Sequence, residues 1–276
     1  MRKEPWIGDR WIVSPYNFAP EVLSQMDLPE SAELCDVTLR DGEQQTGIVF
    51  KKDEKVKIAE KLAEIGVKWI EAGMPAVSKD DFEAIKEISN LGLTATIRAF
   101  SRARKDDIDL CLAADVESVG VETICSDILI EKGFGWSREK VLEDVTSVIE
   151  YAKAHGLHTA LFAADSTRAD MAFLKRLVEE ALEAGADSII VVDTLSVASP
   201  QAFSFLVKKV KEWSTVPLEV HCHNHLGLGT ANSLAGIAFG ARIVHVTVNG
   251  MGEGAGNSPL EEVAVALKLL YGVDPG

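Results

Sequence analysis

Apolar positions along this chain recur in two alternating periods. In residues 53–65, Val56, Ala59, Leu62 and Ala63 share one helical face, while Lys57, Glu60, Lys61 and Glu64 lie elsewhere. A glycine follows, and then a short apolar run, Val67-Lys68-Trp69-Ile70. Glycine just past a helix supplies the left-handed backbone that ends it. The same succession that follows Gly66 returns at Gly92, Gly156, Gly185 and Gly240, at intervals of 26, 64, 29 and 55 residues. The longer intervals are close to two units each, so one unit is roughly 30 residues, the size of a strand plus a helix. The segment Ser188-Ile189-Ile190-Val191-Val192 is almost continuously apolar, as a parallel strand buried on both faces requires.

The pattern predicts strands near 34–38, 67–72, 94–100, 118–124, 158–163, 188–193, 217–222 and 243–248. Helices are expected near 53–65, 79–90, 105–114, 137–155, 170–184, 200–213, 229–239 and 258–271. Eight such units make an α/β fold, a (β/α)8 TIM barrel over 34–276. Residues 1–33 read as an irregular lead, with Trp6, Trp11, Tyr16 and Phe18 among four prolines and packing on the barrel. A doubly wound open sheet would carry a glycine-rich phosphate turn after its first strand. That strand instead runs into Thr38-Leu39-Arg40-Asp41-Gly42-Glu43.

Composition narrows the function classes. The 276 residues suit one barrel, and the formal charge of −15 argues against a nucleic-acid partner. No run of eighteen apolar residues is present, so no membrane span is expected, and the N-terminus has no apolar signal region. Cys35, Cys111, Cys125 and Cys222 are widely spaced, which suits a reducing, cytoplasmic setting.

In a (β/α)8 barrel the chemistry sits at the C-terminal ends of the strands. The seventh strand ends in His221-Cys222-His223-Asn224-His225, which holds half of the six histidines. Residues two apart on a strand point the same way, so His221 and His223 outline a divalent-metal site. The bland alternative is hydrogen bonding in the barrel mouth. His225 lies beyond the expected strand end, and Cys222 points the other way, into the core. After the first strand, Asp41 is a natural third ligand, and Arg40 could polarise a carbonyl oxygen; a surface ion pair is the alternative. The eighth strand runs into Asn249-Gly250-Met251-Gly252-Glu253-Gly254-Ala255-Gly256-Asn257, a loop whose backbone can approach a ligand closely. Other strand ends bring Glu71, Arg98, Arg102, Asp165, Arg168 and Asp193-Thr194 to the same mouth. Phe134 and Trp136, after the fourth strand, read as a lid or as packing.

Thr38-Leu39-Arg40-Asp41-Gly42-Glu43-Gln44, His221-Cys222-His223-Asn224, and Asn249-Gly250-Met251-Gly252-Glu253 with Gly256-Asn257 together resemble the DRE-TIM metallolyases. The nearest branch is that of the isopropylmalate, homocitrate and citramalate synthases. The resemblance implies a divalent metal (Mn2+, Mg2+, Co2+ or Zn2+) held by Asp41, His221, His223 and Asn257. It implies that Arg40 supports a 2-oxo acid and that Glu43, Glu71, Arg102 and Thr194 line the pocket, with Gln44 and Asn249 beside them. The implied reaction is condensation of an acyl-CoA, acetyl-CoA first, with that acid, by a homodimer. Glu43 and His225 are the candidate bases. A metal-dependent lyase or aldolase, or a non-catalytic barrel that binds metal and a small acid, are the alternatives.

The chain departs from the pattern at several positions. The synthases usually carry aspartate where this chain has His225, arginine where it has Gly254, and histidine where it has Leu129. They also carry a C-terminal extension serving the acyl-CoA side, whereas this sequence stops at Gly276. The related lyase branch needs a cysteine in the loop after strand eight, which has none, and the aldolases usually have histidine near Glu43. The paired change at His225 and Gly254 is expected to remodel the pocket for a different or larger acid.

Overall fold

The structure, a computed structural model, describes residues 4–276, so the first three residues of the 1–33 lead lie outside it. Eight parallel strands close into a barrel in sequence order. They are β1 (Glu33–Asp36), β2 (Trp69–Glu71), β3 (Thr96–Arg102), β4 (Ser118–Ile124), β5 (His158–Ala164), β6 (Ser188–Asp193), β7 (Leu218–Cys222) and β8 (Ile243–Val246). The ring closes between β1 and β8, with Cys35 opposite His245 and Asp36 opposite Val246. The outer layer is α1 (Lys52–Glu64), α2 (Lys79–Ser89), α3 (Lys105–Ala113), α4 (Arg138–Ala154), α5 (Met171–Glu183), α6 (Pro200–Trp213), α7 (Gly229–Ala238) and α8 (Leu260–Ala266).

All five glycines that mark the repeat have positive φ, between 67° and 130°. This is the backbone region in which a side chain is strained, and it is why the repeat was readable. The elements differ from expectation mostly at their ends. β2 is only three residues long, and α8 passes into a wider turn over Leu267–Tyr271. In the lead, Trp6 and Phe18 face one another with centroids 6.4 Å apart, and Asp27 N donates to Ala238 O at 2.8 Å. Tyr16, on the tight turn Pro15–Phe18, stands 78% exposed.

The barrel interior is not uniformly apolar. Arg98 and Glu219 are fully buried there and meet in a two-pronged ion pair, at 2.7 and 2.9 Å. Arg98 was expected at the mouth. It is the third residue of β3, which begins at Thr96, and so lies deep in the barrel over the Trp69 ring.

Candidate metal centre and substrate cavity

After β1 the chain folds back on itself: Asp41 N and Gly42 N both donate to Val37 O, at 2.8 and 3.1 Å. Thr38 Oγ1 accepts from Val248 N at 2.9 Å, which ties this turn to the segment after β8. Asp41 is thereby buried beside β7. His221 lies on that strand. His223 lies one residue past its end, held by a bridge to Asn257. The Nε2 atoms of the two histidines are 3.1 Å apart, and Asp41 Oδ2 is 3.1 Å from His221 and 3.0 Å from His223. These three donor atoms form a nearly equilateral triangle. Adjacent ligands around an ion with bonds of about 2.1 Å stand about 3 Å apart.

Asn257 Nδ2 donates to Asp41 Oδ2 at 3.0 Å, while Asn257 Oδ1 and Asp41 Oδ1 are buried with no hydrogen-bond donor. Buried acceptors without a donor are costly, and a cation between them would satisfy both. The donor set therefore fits a divalent ion. Among the described residues, Asp41, His221 and His223 are the one group of His, Cys, Asp and Glu side chains that converges in this way.

Protonation at His221 and Asp41 suits the same role; at His223 burial would lower the pKa, but Asp41 holds it above its ordinary value. Burial pushes His221 down to about 3, with the nearby imidazoles adding to the effect and Asp41 opposing it. For Asp41, burial would raise the pKa, but Arg40 and the two imidazoles hold it well below the usual carboxylate range. An anionic carboxylate beside a neutral imidazole is the state that binds metal.

Each imidazole is oriented from behind. His223 Nδ1 contacts Thr194 O at 2.6 Å. His221 Nδ1 lies 3.3 Å from His245 Nδ1, and His245 Nε2 lies 2.8 Å from Glu219 Oε2. Glu219 also accepts from Ser188 Oγ at 2.6 Å. If each ring carries its proton on the side facing this chain, His221 presents its Nε2 lone pair to the triangle. Sequence reasoning missed Glu219 and His245. The signal was present: Glu219, His221 and His223 are spaced two apart, and a carboxylate in an otherwise apolar stretch of strand needs a partner.

Arg40 donates from Nε to Glu71 Oε1 at 2.5 Å, and its guanidinium lies 4.3 Å from the Phe100 ring centroid. Its Nη2 is buried without a partner. Glu71 thus lies behind Arg40. Arg40, His221, His223, Thr194, Gln44 and Arg102 share the wall of a cavity of about 220 Å3 with Phe100, Glu122, Phe162 and Glu253.

The other sequence candidates lie apart from that wall. Both oxygens of Glu43 are engaged, one by Phe50 N at 2.8 Å and one by Lys55 at 2.5 Å, and Lys55 also pairs with Asp81. Asn249 is exposed with φ 56°, and its N–H donates to Glu261 at 3.2 Å. His225 is exposed, its ring 5.9 Å from that of His223. It fills the space above Gly254, where a Cβ would stand 2.1 Å from its Nε2. Asp165 is forked by Arg168, and Asp193 accepts from Thr167, Asn232 and backbone N–H groups. Cys222 is buried, and burial pushes its thiol up. Phe134 and Trp136 stack with centroids 4.7 Å apart beside a second cavity that shares Arg102 and Glu122.

A closed parallel barrel with two imidazoles and one carboxylate converging at its mouth defines a class of metal-binding α/β barrel. The chain belongs to the HMGL-like family, whose model matches residues 31–276. It is 44% identical over 263 residues to "Homocitrate synthase AksA" of Methanopyrus kandleri, which covers 95% of this chain and 66% of that protein. It is 46% identical to "Probable 2-isopropylmalate synthase" of Ignicoccus hospitalis, with 91% and 63% covered. It is also 46% identical to "(R)-citramalate synthase CimA" of Methanocaldococcus jannaschii, with 87% and 49% covered. The chain thus spans about half to two thirds of the length of these relatives.

Among solved structures, hydroxymethylglutaryl-CoA lyase from Pseudomonas aeruginosa superposes with a TM-score of 0.79 at 23% identity, covering 90% of each chain. The carboxyl transferase domain of Rhizobium etli pyruvate carboxylase gives 0.71 at 19% identity, covering 90% of this chain and 45% of the other. Both likenesses concern the fold. Among the described residues no helix is long and apolar enough to cross a membrane.

Proposed function

We propose that this protein is a divalent-metal-dependent enzyme that condenses an acyl-CoA, acetyl-CoA being the expected donor, with a 2-oxo acid. The observation that carries the reading is the triangle of Asp41, His221 and His223 donor atoms, with unpartnered buried polar atoms on the residues around it. Asp41 Oδ1 and Asn257 Oδ1 lack donors, and Arg40 Nη2 lacks an acceptor. The names of the relatives support the same chemistry.

A divalent ion held by Asp41, His221, His223 and Asn257 would supply Lewis acidity toward the carboxylate and ketone of the acid. Mg2+, Mn2+, Co2+ and Zn2+ all accept such oxygen and imidazole donors. Arg40, held in its plane by Glu71 and Phe100, directs Nη2 at the oxygen that gains charge. As the enol carbon of the acyl-CoA bonds to the ketone carbon, the carbonyl π pair moves onto that oxygen, and Arg40 stabilises it. Hydrolysis of the thioester then releases the thiol and makes the condensation irreversible. Of the two candidate bases, His225 is the better placed, since it is exposed beside His223 while both oxygens of Glu43 are occupied. The four buried, unpaired cysteines support a reducing compartment.

The test is thiol release by the metal-loaded protein from acetyl-CoA with a panel of 2-oxo acids. Release that needs metal, acetyl-CoA and a 2-oxo acid together is the expected result. Release without the acid, or acyl-CoA or pyruvate appearing from a hydroxy acid, would replace the condensation reading.

A further inference from the structure

The cavity wall beside the metal triangle has two contrasting parts. Phe100 and Phe162 meet edge to face with centroids 5.1 Å apart, and Met74 and Val192 continue this apolar surface. Glu122 and Glu253 share the same wall without a salt bridge among the described residues; burial raises the Glu122 pKa, and the Arg40 charge opposes this. Arg40 and Arg102 are the two cationic side chains of the wall. Arg40 is committed to Glu71 and faces the triangle. Arg102 is neutralised by Asp107, which receives its Nε and Nη2 at 2.8 Å each.

A 2-oxo acid that places its carboxylate and ketone at the triangle and at Arg40 Nη2 must extend its side chain along this wall. A second carboxylate there would meet no uncommitted cation and would approach Glu122 and Glu253. Like charges brought together in a part-enclosed site repel strongly, and binding sites use such repulsion to reject ligands. An aliphatic side chain would instead lie against the two phenyl rings and lose apolar surface to water. The named relatives carry three different product names, so sequence identity alone does not choose among acids.

We infer that the acid taken here is a 2-oxo monocarboxylate with a short apolar side chain, and that Glu122 is the group that excludes a 2-oxo dicarboxylate. The inference rests on the 2-oxo acid reading above but not on the condensation step. Its test is therefore binding rather than turnover: titration calorimetry of the Mn2+-loaded protein with 2-oxobutyrate, 2-oxoisovalerate and 2-oxoglutarate. The expected result is a dissociation constant for 2-oxoglutarate at least about tenfold above that of the better monocarboxylate. Glu122→Gln should narrow this gap by tightening 2-oxoglutarate. Equal or tighter binding of 2-oxoglutarate by the unaltered protein overturns the inference, and a gap unmoved by Glu122→Gln overturns the role of Glu122. The expected ranking without thiol release in the assay above would reject the condensation and leave this inference standing. Failure of every acid to bind would overturn both.

Discussion

The arc of the mouth formed by β7, β8 and β1 and the arc formed by β3 and β4 are built on different principles. In the first, Asp41, His221, His223 and Asn257 are buried, and the two imidazoles are held from behind by His245, Glu219 and a backbone carbonyl. In the second, Arg102 is 53% exposed, its partner Asp107 comes from the adjoining helix, and Phe134 and Trp136 stand in solvent. The buried arc gains a fixed geometry at the risk that any lost partner leaves a desolvated polar group. The exposed arc can change its side chains at little cost to the fold. On the proposed function, reaction chemistry would reside where change is expensive, and choice of substrate where it is cheap.

The contrast is most sharply tested by removing a ligand. His223→Ala should lower divalent-metal affinity more than about 100-fold, because even outer partners of metal ligands are worth 10–100-fold. Arg102→Ala should leave that affinity unchanged; calorimetric titration with Mn2+ reads both. Next comes the support beneath. Glu219→Ala strands the Arg98 guanidinium in the barrel, so unfolding should become easier by about 3–5 kcal/mol. Scanning calorimetry should show a midpoint about 10 °C lower. Removing Asp107, which is buried although its partner Arg102 is half exposed, should cost less, about 1–3 kcal/mol.

A subtler change reaches the same ligand from behind. His245→Asn should weaken metal binding by about 10–100-fold while the fold persists, because His221 loses the group that orients it. Unchanged affinity would mean that the chain from Glu219 to His221 does not position the ligand. Smaller still is the loop after β8. Gly254→Ala places a Cβ on His225 Nε2 and strains a residue with φ 62°, for about 1–3 kcal/mol. His225→Ala should remove the steric part of that cost, so a double-mutant cycle should be non-additive. Additive effects would separate the two positions.

A pH-dependent effect belongs to Asp36, buried at the end of β1 with Oδ2 unpartnered and its pKa raised by burial to about 7. The folded state holds this proton between about pH 4 and 7 and the unfolded chain does not, so stability falls as pH rises through that window. Asp36→Asn should therefore raise the thermal midpoint by a few degrees at pH 8 and leave it nearly unchanged at about pH 4, below the window. An equal shift at both values would show that charge is not the cause.

The barrel was legible because the helix-ending glycines need a conformation that other residues adopt only under strain. His221 and His223 were legible because a strand repeats every two residues, even though β7 stops at Cys222 and the bridge to Asn257 carries the direction one step further. Depth along a strand was not legible. Arg98 moved from the mouth to the interior because β3 begins two residues later than its apolar run suggested, and an element's end is weakly encoded. Nor were tertiary captures. Nothing local says that Lys55, on the next helix, will take Glu43, that Glu71 will sit behind Arg40, or that Asn249 will turn outward on a left-handed backbone. Glu219 and His245 could have been found by extending the two-residue rhythm backwards and asking what a buried carboxylate needs.

The barrel closes where β8 meets β1, and the proposed metal donors lie on both sides of that join. Asp41 follows β1, while Asn257, 216 residues later, follows β8. A contact between residues so far apart along the chain is among the last that folding can secure. A nascent chain lacking β8 and its loop has an incomplete donor set, and a chain that has closed the ring has all of it. The centre is therefore also a clasp. Whatever occupies it favours the closed ring by mass action and holds that seam together.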